Sequence, residues 1–422
     1  MAPSEYDLGV DLLERASDLE VLDRALDEAG RSSGSVVLIG GEAGIGKTRL
    51  VQSFSEIHAD DARVLWGACD DLSTPRTLGP FRDIAGQVDG ALKDAVIGGT
   101  RGEVFDAVLD VVVKADRPTA VVIEDVHWAD GATLDVLKFL GRRIDRAPVT
   151  LVLTYRDEEV PQNHPLMLMF GDLPASAVHR VHPAPLSKSA VEELASDYEG
   201  SVEDLYALTR GNPFLVTEAL LTPGGDVPAN VRDAVRTRAS RLSPAGRAVA
   251  DLISVVPGQT ERWLIDEFPE FDSGALDECR QRGLIEFDRA YAWYRHELVR
   301  GAMEETLDLP RRRALNAYVA HALSHREADI ARIVHHSGQA GDADAIARYA
   351  PLAARRASAA ASHNEALAHY RLAVDYAAGI SMEDRARLLT DYAVECYLAN
   401  EAVEGVDAAA QALELWRALG SI

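Results

Sequence analysis

The residue types with the clearest chemistry lie in one short stretch near the start of the chain. Residues 41–48 match the pattern G-x-x-x-x-G-K-[ST] of a phosphate-binding loop. The glycines of such a loop let backbone amides and the N-terminus of the next helix face an anion. Lys47 can reach the β- and γ-phosphates of a nucleotide, and Thr48 can hold Mg²⁺. We therefore predict a nucleotide site formed by Gly41, Glu42, Ala43, Gly44, Ile45, Gly46, Lys47, Thr48 and Arg49.

Two carboxylates stand at the end of an apolar run further along the chain. Residues 120–123 read Ala-Val-Val-Ile and are followed by Glu124 and Asp125. A strand that is buried on both faces is uniformly apolar, so polar residues emerge only at its carboxyl end. In nucleotide-hydrolysing sites an acidic residue there holds Mg²⁺, and a second acid orients the attacking water. We assign Glu124 to the metal and Asp125 to the water, although the residues alone leave the order of these roles open.

A cation follows the next apolar run. Residues 149–154 predict another buried strand, and Arg156 lies just after it. At the carboxyl edge of a central strand this side chain faces the same crevice as Lys47, where it can sense the γ-phosphate through charge-assisted hydrogen bonds. The alternative is a surface ion pair with Asp157, Glu158 or Glu159. Sequence chemistry alone does not choose between the two.

Alternating strands and helices must position these groups. Apolar runs predict strands over 35–40, 64–68, 120–125 and 149–154, and helical spacing predicts helices over 11–29, 46–57 and 131–145. Such alternation is typical of an α/β domain with a parallel sheet between helices. We therefore expect a P-loop NTPase fold for the first part of the chain.

Composition narrows the class of protein further. The net charge of −25 argues against a nucleic-acid-binding surface, which should be basic. The three cysteines, Cys69, Cys279 and Cys396, are too far apart for a metal-binding or redox motif, which fits a reduced compartment. Neither a signal-peptide pattern nor an apolar run of membrane-spanning length is present. We expect a cytoplasmic protein that does not interact with a membrane.

The order of motifs resembles that of the large ATP-binding LuxR-type regulators, which belong to the STAND class of signal-transduction ATPases. The resemblance rests on Leu12-Leu13-Glu14-Arg15, GEAGIGKT (41–48), WGACDDLSTPRTLGP (66–80), VVIEDVHWAD (121–130), LTYRDEE (153–159), GNPFLV (211–216) and YRHELVR (294–300). It implies ATP or ADP with Mg²⁺ as ligands. One departure is visible, because the family's common Asp-Asp pair is Glu124-Asp125 here.

The resemblance also implies roles for residues outside the phosphate-binding loop. It makes Arg156 a phosphate sensor, places the segment that contains Pro213 at the adenine, and places His296 at the phosphates of bound ADP. We include Arg15 among the nucleotide-binding candidates as well. A helical segment over 187–221, broken at Gly211-Asn212-Pro213, fits a small lid.

The rest of the chain predicts further helical parts. We expect a nucleotide-binding domain over 1–180, a helical lid over 181–226, a winged helix over 227–310, and the start of a tetratricopeptide-like (TPR-like) sensor over 311–422. Asp226-Val227-Pro228 opens the winged helix, with helices near 229–241, 244–255 and 273–282 and a hairpin of 284–287 with 291–294. Its third helix carries acidic as well as basic residues, which argues against DNA binding there.

A weak repeat supports the assignment of the last part. Ala366, Tyr370 and Ala373 have the spacing of the second helix of a TPR, and Ala402, Val406 and Ala409 repeat it 36 residues later. That interval is close to the TPR period of about 34. Stacked helix pairs present a surface for a peptide, protein or small inducer. An ordinary helical bundle is the alternative.

These observations predict an ATP/ADP-controlled switch with slow hydrolysis, in which an inducer or regulatory protein acts at the repeats and the ATP form self-associates. The first alternative is a turnover ATPase of the AAA+ type, which needs an arginine finger; Arg142 or Arg143 can be proposed for it. The second alternative is a scaffold in which the nucleotide is structural. The regulators that it resembles continue through more repeats to a helix-turn-helix. We therefore expect this chain to be an N-terminal part that binds no DNA itself and exposes its last helix.

Overall fold

The computed structural model describes residues 12–31, 33–114, 117–198, 200–221, 231–326 and 328–421. Its strands are β1 Ser35–Ile39, β2 Arg63–Ala68, β3 Thr119–Glu124, β4 Val149–Thr154, β5 Val178–Val181, β6 Thr260–Glu261, β7 Ile285–Phe287 and β8 Tyr291–Tyr294. Its helices are α1 Ala16–Gly30, α2 Lys47–Ile57, α3 Gly79–Ala85, α4 Leu92–Gly98, α5 Arg101–Val113, α6 Gly131–Gly141, α7 Pro165–Gly171, α8 Lys188–Leu194, α9 Val202–Thr209, α10 Pro213–Leu220, α11 Val231–Ala239, α12 Pro244–Ser254, α13 Arg262–Asp266, α14 Ala275–Gln281, α15 Glu297–Glu304, α16 Leu309–Ser324, α17 Ile330–Ala340, α18 Ala343–Ala359, α19 His363–Asp375, α20 Met382–Leu398 and α21 Ala402–Ala418.

The chain divides into two compact units that do not follow sequence order. The first contains residues 1–68, 112–127 and 140–309, and the second contains residues 69–111, 128–139 and 310–422. The second unit thus combines the helical repeats with two segments from the predicted nucleotide-binding domain. The predicted boundaries at 180, 226 and 310 stay predictions, and Asp226-Val227-Pro228 lies outside the described residues.

A parallel sheet forms the centre of the first unit. Over the described residues it has the strand order β2-β3-β4-β1-β5, with β1 paired in parallel to both β4 and β5. The strands β1 and β4 are buried throughout, as their continuous apolar sequences predict. Parallel pairing brings the carboxyl ends of β1, β3 and β4 to one edge, so this sheet positions the predicted site. The expected P-loop NTPase-like α/β fold is confirmed.

The sequence prediction missed the edge strand β5. Its four residues, Val-His-Arg-Val, are only half-buried for the most part, so they lack the apolar run by which the other strands were found. An edge strand of this length gains its order from pairing with β1 rather than from its own composition. The helix predicted over 131–145 ends earlier, at Gly141, and a short 3₁₀ turn follows over 144–146.

Helices and a small sheet complete the first unit. The predicted helical segment 187–221 is divided into α8, α9 and α10, so it breaks before α9 as well as at Gly211-Asn212-Pro213. Beyond residue 230, β7 and β8 form the predicted hairpin, and the unforeseen two-residue β6 pairs with β8. Helix α13, which follows β6, was also not predicted. Whether these elements make a winged helix stays a prediction.

The helices at the end of the chain fit TPR-like repeats, and of the residues that match the predicted repeat those in α19 are buried whereas those in α21, the last helix, are exposed. In α19 the residues Ala366, Tyr370 and Ala373 are buried as expected. In α21, by contrast, Ala402 and Ala409 are exposed and Val406 is 69% exposed. Ala408 and Ala412 face the core instead, because α21 packs on α20 along a different stripe.

Two findings concern the whole described chain. No described helix is long and apolar enough to cross a membrane. The three cysteines are free thiols, and all are buried.

Candidate nucleotide-binding site

The phosphate-binding loop connects β1 to α2 and curls tightly. Gly44 has φ +83° and Gly46 has φ +97°, a region that glycine adopts without the steric cost of a side chain. Lys47, the first residue of α2, is buried, and burial lowers the pKa of its amine. Its Nζ donates to the carbonyl oxygens of Gly41 at 2.6 Å and Glu42 at 2.9 Å. Since an ammonium group has three N–H donors, one remains for a phosphate oxygen.

Glu124 ends β3, at the same edge of the sheet. Burial raises the pKa of its carboxyl to about 7, and a hydrogen bond from Thr48 opposes that shift. Its Oε1 is buried without a hydrogen-bond partner among the described residues. A buried acceptor with no donor, beside the Thr48 hydroxyl, is suited to a cation. The pair predicted to hold Mg²⁺ is therefore brought together.

Asp125 follows Glu124 and leaves the strand with a left-handed backbone, φ +50°. This conformation is uncommon outside glycine and is held by a hydrogen bond from the Asp125 amide to Thr154 Oγ1 at 3.0 Å. Burial raises the pKa of the Asp125 carboxyl to about 6, while Arg156 and Lys47 lower it. Asp125 thus turns out of the sheet toward the cations of the site.

Arg156 shows features of both predicted alternatives. Its Nε lies 3.8 Å from Asp125 Oδ1, which places the guanidinium at the site, and its Nη1 donates to Glu159 at 2.7 Å. The ion pair with Glu159 holds the guanidinium of Arg156 beside Asp125. His127 is buried nearby, 3.4 Å from Glu159. Burial lowers the pKa of His127 to about 3, so the imidazole is neutral at physiological pH and this contact is not an ion pair.

The N-terminus of α10 packs directly on the phosphate-binding loop. Asn212 caps this helix through its Oδ1, which accepts from the amides of Phe214 and Leu215. Its Nδ2 donates to Glu42 Oε1 at 2.9 Å and to the Ala43 carbonyl at 3.1 Å. The Phe214 amide also donates to the Gly44 carbonyl at 3.2 Å. One side chain therefore caps a helix and binds the loop.

Gly44 makes this close approach possible. A Cβ at Gly44 would lie 2.8 Å from Phe214 Cβ and 2.9 Å from Asn212 Oδ1, distances that real Cβ atoms do not show. Any other residue at this position would push α10 away from the loop.

His296 reaches the same place from the N-terminus of α15. Its ring stacks on Phe214 with 4.0 Å between ring centroids, and its Nδ1 accepts from the Leu298 amide at 3.1 Å. Burial lowers the pKa of His296 to about 3, with Arg156 and Lys47 as further causes. The imidazole is therefore neutral and available as a hydrogen-bonding or stacking group.

Most of the predicted site residues converge, with one exception. Arg15 is buried, and its Nη2 donates to the Ile45 carbonyl at 3.1 Å, so it supports the loop backbone. Pro213 is the first residue of α10. Arg49 lies on the exposed side of α2 and pairs with Glu56 at 3.5 Å, so its side chain is not brought to the site.

Three residues of the site, Asn212, Glu158 and Phe214, are not among those predicted from the sequence. Asn212 belongs to the highlighted Gly-Asn-Pro segment, and an Asn directly before Pro is an N-cap signal that points to it. Glu158 accepts from the Ala43 amide at 3.0 Å, and Phe214 stacks on His296. Nothing in the local sequence distinguishes these last two from ordinary surface and core residues.

Comparison with known proteins agrees with this geometry. Residues 11–153 match the family described as the AAA ATPase domain. An uncharacterized protein of Rhizobium meliloti (strain 1021) is 28% identical over 193 residues, which are 35% of this chain and 19% of that protein.

The fold has a counterpart among solved structures. A STAND protein with a tetratricopeptide repeat sensor from Pyrococcus horikoshii aligns over 94% of this chain and 64% of its own, at 16% identity and a TM-score of 0.52. The chain thus contains an AAA-like ATPase domain and shares its overall fold with a STAND ATPase. It spans less than two thirds of the length of either relative.

The contact between Asn212 and the loop leads to a testable prediction. In Asn212→Ser the hydroxyl can still cap α10, but the amide donors to Glu42 and Ala43 are lost. We expect faster amide hydrogen exchange in residues 42–46 with little change in the helicity of α10. Asn364→Ser, outside the first unit, is the matched control. Unchanged exchange in the loop of Asn212→Ser would show that the Asn212 contact does not hold it.

Proposed function

We propose that this chain is an ATP/ADP-controlled switch of the STAND class that hydrolyses ATP slowly, in a LuxR-type transcriptional regulator. The observation that carries the proposal is the double contact of α10 with the phosphate-binding loop and with His296. An ATPase built only for turnover needs a phosphate site; a switch also needs elements outside that site whose position depends on the bound nucleotide.

The described residues supply the parts of a phosphate-transfer site. Thr48 and Glu124 would hold Mg²⁺, whose charge offsets that of the phosphates when it is bound. Lys47 supplies a cation and a spare N–H to the β- and γ-phosphates. Asp125 accepts a hydrogen bond from the attacking water and aligns it, and Arg156 donates to the γ-phosphate. Since Arg156 is already paired with Glu159, its position is fixed before nucleotide binds.

The proposed switch depends on the elements that contact the phosphate-binding loop from outside the sheet. His296 and Pro213 belong to elements outside the parallel sheet, so their contacts with a nucleotide hold these elements against the phosphate site. ADP favours this closed arrangement, whereas ATP, whose γ-phosphate is bound by Arg156, favours the open one. A ligand shifts such an equilibrium only by the difference in its affinity for the two states.

The output lies beyond this site. A signal at the helical repeats biases nucleotide exchange, and the open ATP form self-associates. DNA is bound through another domain of the regulator rather than through the acidic chain described above. Arg142, one of the two arginine-finger candidates of the AAA+ alternative, pairs with Asp172 at 3.2 Å, and both side chains are partly exposed.

The first prediction of this function concerns the phosphate site. Lys47→Ala should abolish ATP and ADP binding, since the loop loses its positioned cation. Asp125→Asn should keep binding and lose hydrolysis. Nucleotide at about a hundred times Kd should stabilise the wild type by roughly 2.7 kcal/mol, measured by thermal or urea unfolding.

The exposed Lys93 provides the control, because Lys93→Ala removes a lysine without touching the site. A wild-type unfolding curve that does not respond to nucleotide, and is the same in Lys47→Ala, would contradict the assignment of the nucleotide site.

The second prediction concerns the closed state. His296→Ala should weaken ADP binding more than ATP binding, because it removes a contact made only when α15 is held at the site. Isothermal titration with each nucleotide measures the ratio of the two affinities. His325→Ala, on an exposed turn outside the first unit, serves as the control. Equal losses for ADP and ATP would return His296 to a purely structural role.

A further inference from the structure

A cavity of about 320 Å³ lies within the second unit, away from the nucleotide site. Its walls come from the α3 and α4 segments on one side and from α17 and α18 on the other. Its volume is at the lower end of the range for small-molecule sites, about 300–1,000 Å³. A site of this size suits a small ligand rather than a peptide.

The charge of the cavity is opposite to that of the chain. Its described lining contains Arg82, Arg355 and Arg356 and no acidic residue, although the whole sequence has 68 acidic and 43 basic residues. Arg82 is fixed by its Nε bond to the Thr77 carbonyl at 3.0 Å and lies 3.5 Å from Asp329. Arg355 and Arg356 are exposed; Arg355 interacts electrostatically with Asp391, where it opposes the rise in pKa that burial causes, and neither arginine makes an ion pair within 4 Å among the described residues. These two guanidiniums are available to an anion.

The remainder of the lining is apolar. Ile97 and Leu352 line the cavity and are 48% and 37% exposed, respectively, and Leu78 and Val96 form buried parts of the wall. Large apolar side chains left exposed around a concavity are typical of a binding site. A ligand that covers them needs an apolar body as well as a negative charge.

Two walls of the cavity are joined through one buried carboxylate. The Leu78 amide donates to Asp130 Oδ2 at 3.1 Å, and the Ser362 hydroxyl donates to Asp130 Oδ1 at 3.0 Å. Ser362 stands two residues after Ala360, which lines the cavity at the end of α18. Asp130 in turn follows Asp125 by five residues in the sequence. The two walls are therefore tied to a residue that lies close in sequence to Asp125.

We propose that this cavity binds a small organic anion with an apolar body, and that this ligand is the signal that weakens ADP binding. The claim that the cavity binds this ligand depends on the cavity alone, whereas the claim that the ligand is a signal rests on the proposed switch function. The apolar walls bury the body of the ligand, and Arg355 and Arg356 pair with its carboxylate or phosphate group.

Octanoate is a suitable probe, and octan-1-ol is its neutral counterpart. Isothermal titration of the full chain should show octanoate binding that is at least about tenfold tighter than octanol binding, a difference of about 1.4 kcal/mol. The double variant Arg355→Gln/Arg356→Gln should lose at least about tenfold in octanoate affinity, and both side chains are exposed enough for the fold to tolerate the change. Arg348→Gln, an exposed arginine of α18 outside the cavity, should bind octanoate as the wild type does.

Failure to bind octanoate, equal binding of octanol, or unchanged binding by the double variant would overturn the site. A second titration measures ADP with and without saturating octanoate, and we expect weaker ADP binding in the wild type but not in the double variant. Octanoate binding with an unchanged ADP affinity would overturn the signalling role. If the wild type binds octanoate but no nucleotide, the proposed switch is contradicted, whereas the proposed anion site in the cavity is supported.

Discussion

The contact between Asn212 and the phosphate-binding loop is the interaction on which the site depends. It requires a glycine at position 44, because a Cβ there would lie 2.8 Å from Phe214. It also uses both ends of one amide: Oδ1 caps α10 while Nδ2 binds Glu42 and the Ala43 carbonyl. The loop conformation and the position of α10 are therefore coupled, and a nucleotide that changes one must change the other. Phe214 extends this coupling to His296 by stacking.

The electrostatics of the site follow from burial and from compensation between opposite charges. Burial raises the pKa of Glu124 and of Asp125 and lowers that of Lys47, so every one of these groups is less stable in its charged form than in water. Lys47 and Arg156 offset part of this cost for Asp125. A site whose carboxylates are costly to ionise gains most from a bound cation. The same burial makes electrostatic contacts with a phosphate strong.

The sequence predicted the parts of the fold that depend on strong local patterns. The continuous apolar runs identified β1, β3 and β4, and the spacing of glycines with Lys47 and Thr48 identified the loop between β1 and α2. The half-buried β5 has no such pattern, since its order comes from pairing with β1. Glu158 and Phe214 could not be found, because only the folded chain brings them to Ala43 and His296. In α21 alanines on several faces give no distinctive apolar stripe, so the sequence did not indicate that Ala408 and Ala412 would be the residues buried against α20.

The nucleotide that accompanies the purified protein tests the switch most directly. Protein purified without added nucleotide is denatured, and the released nucleotides are separated by ion-exchange chromatography and quantified against the protein. A closed site held by α10 and His296 predicts ADP, at close to one molecule per chain, with little ATP. Protein that carries no nucleotide, and that binds ADP no more tightly than ATP when both are supplied, would contradict a switch that is held closed by ADP.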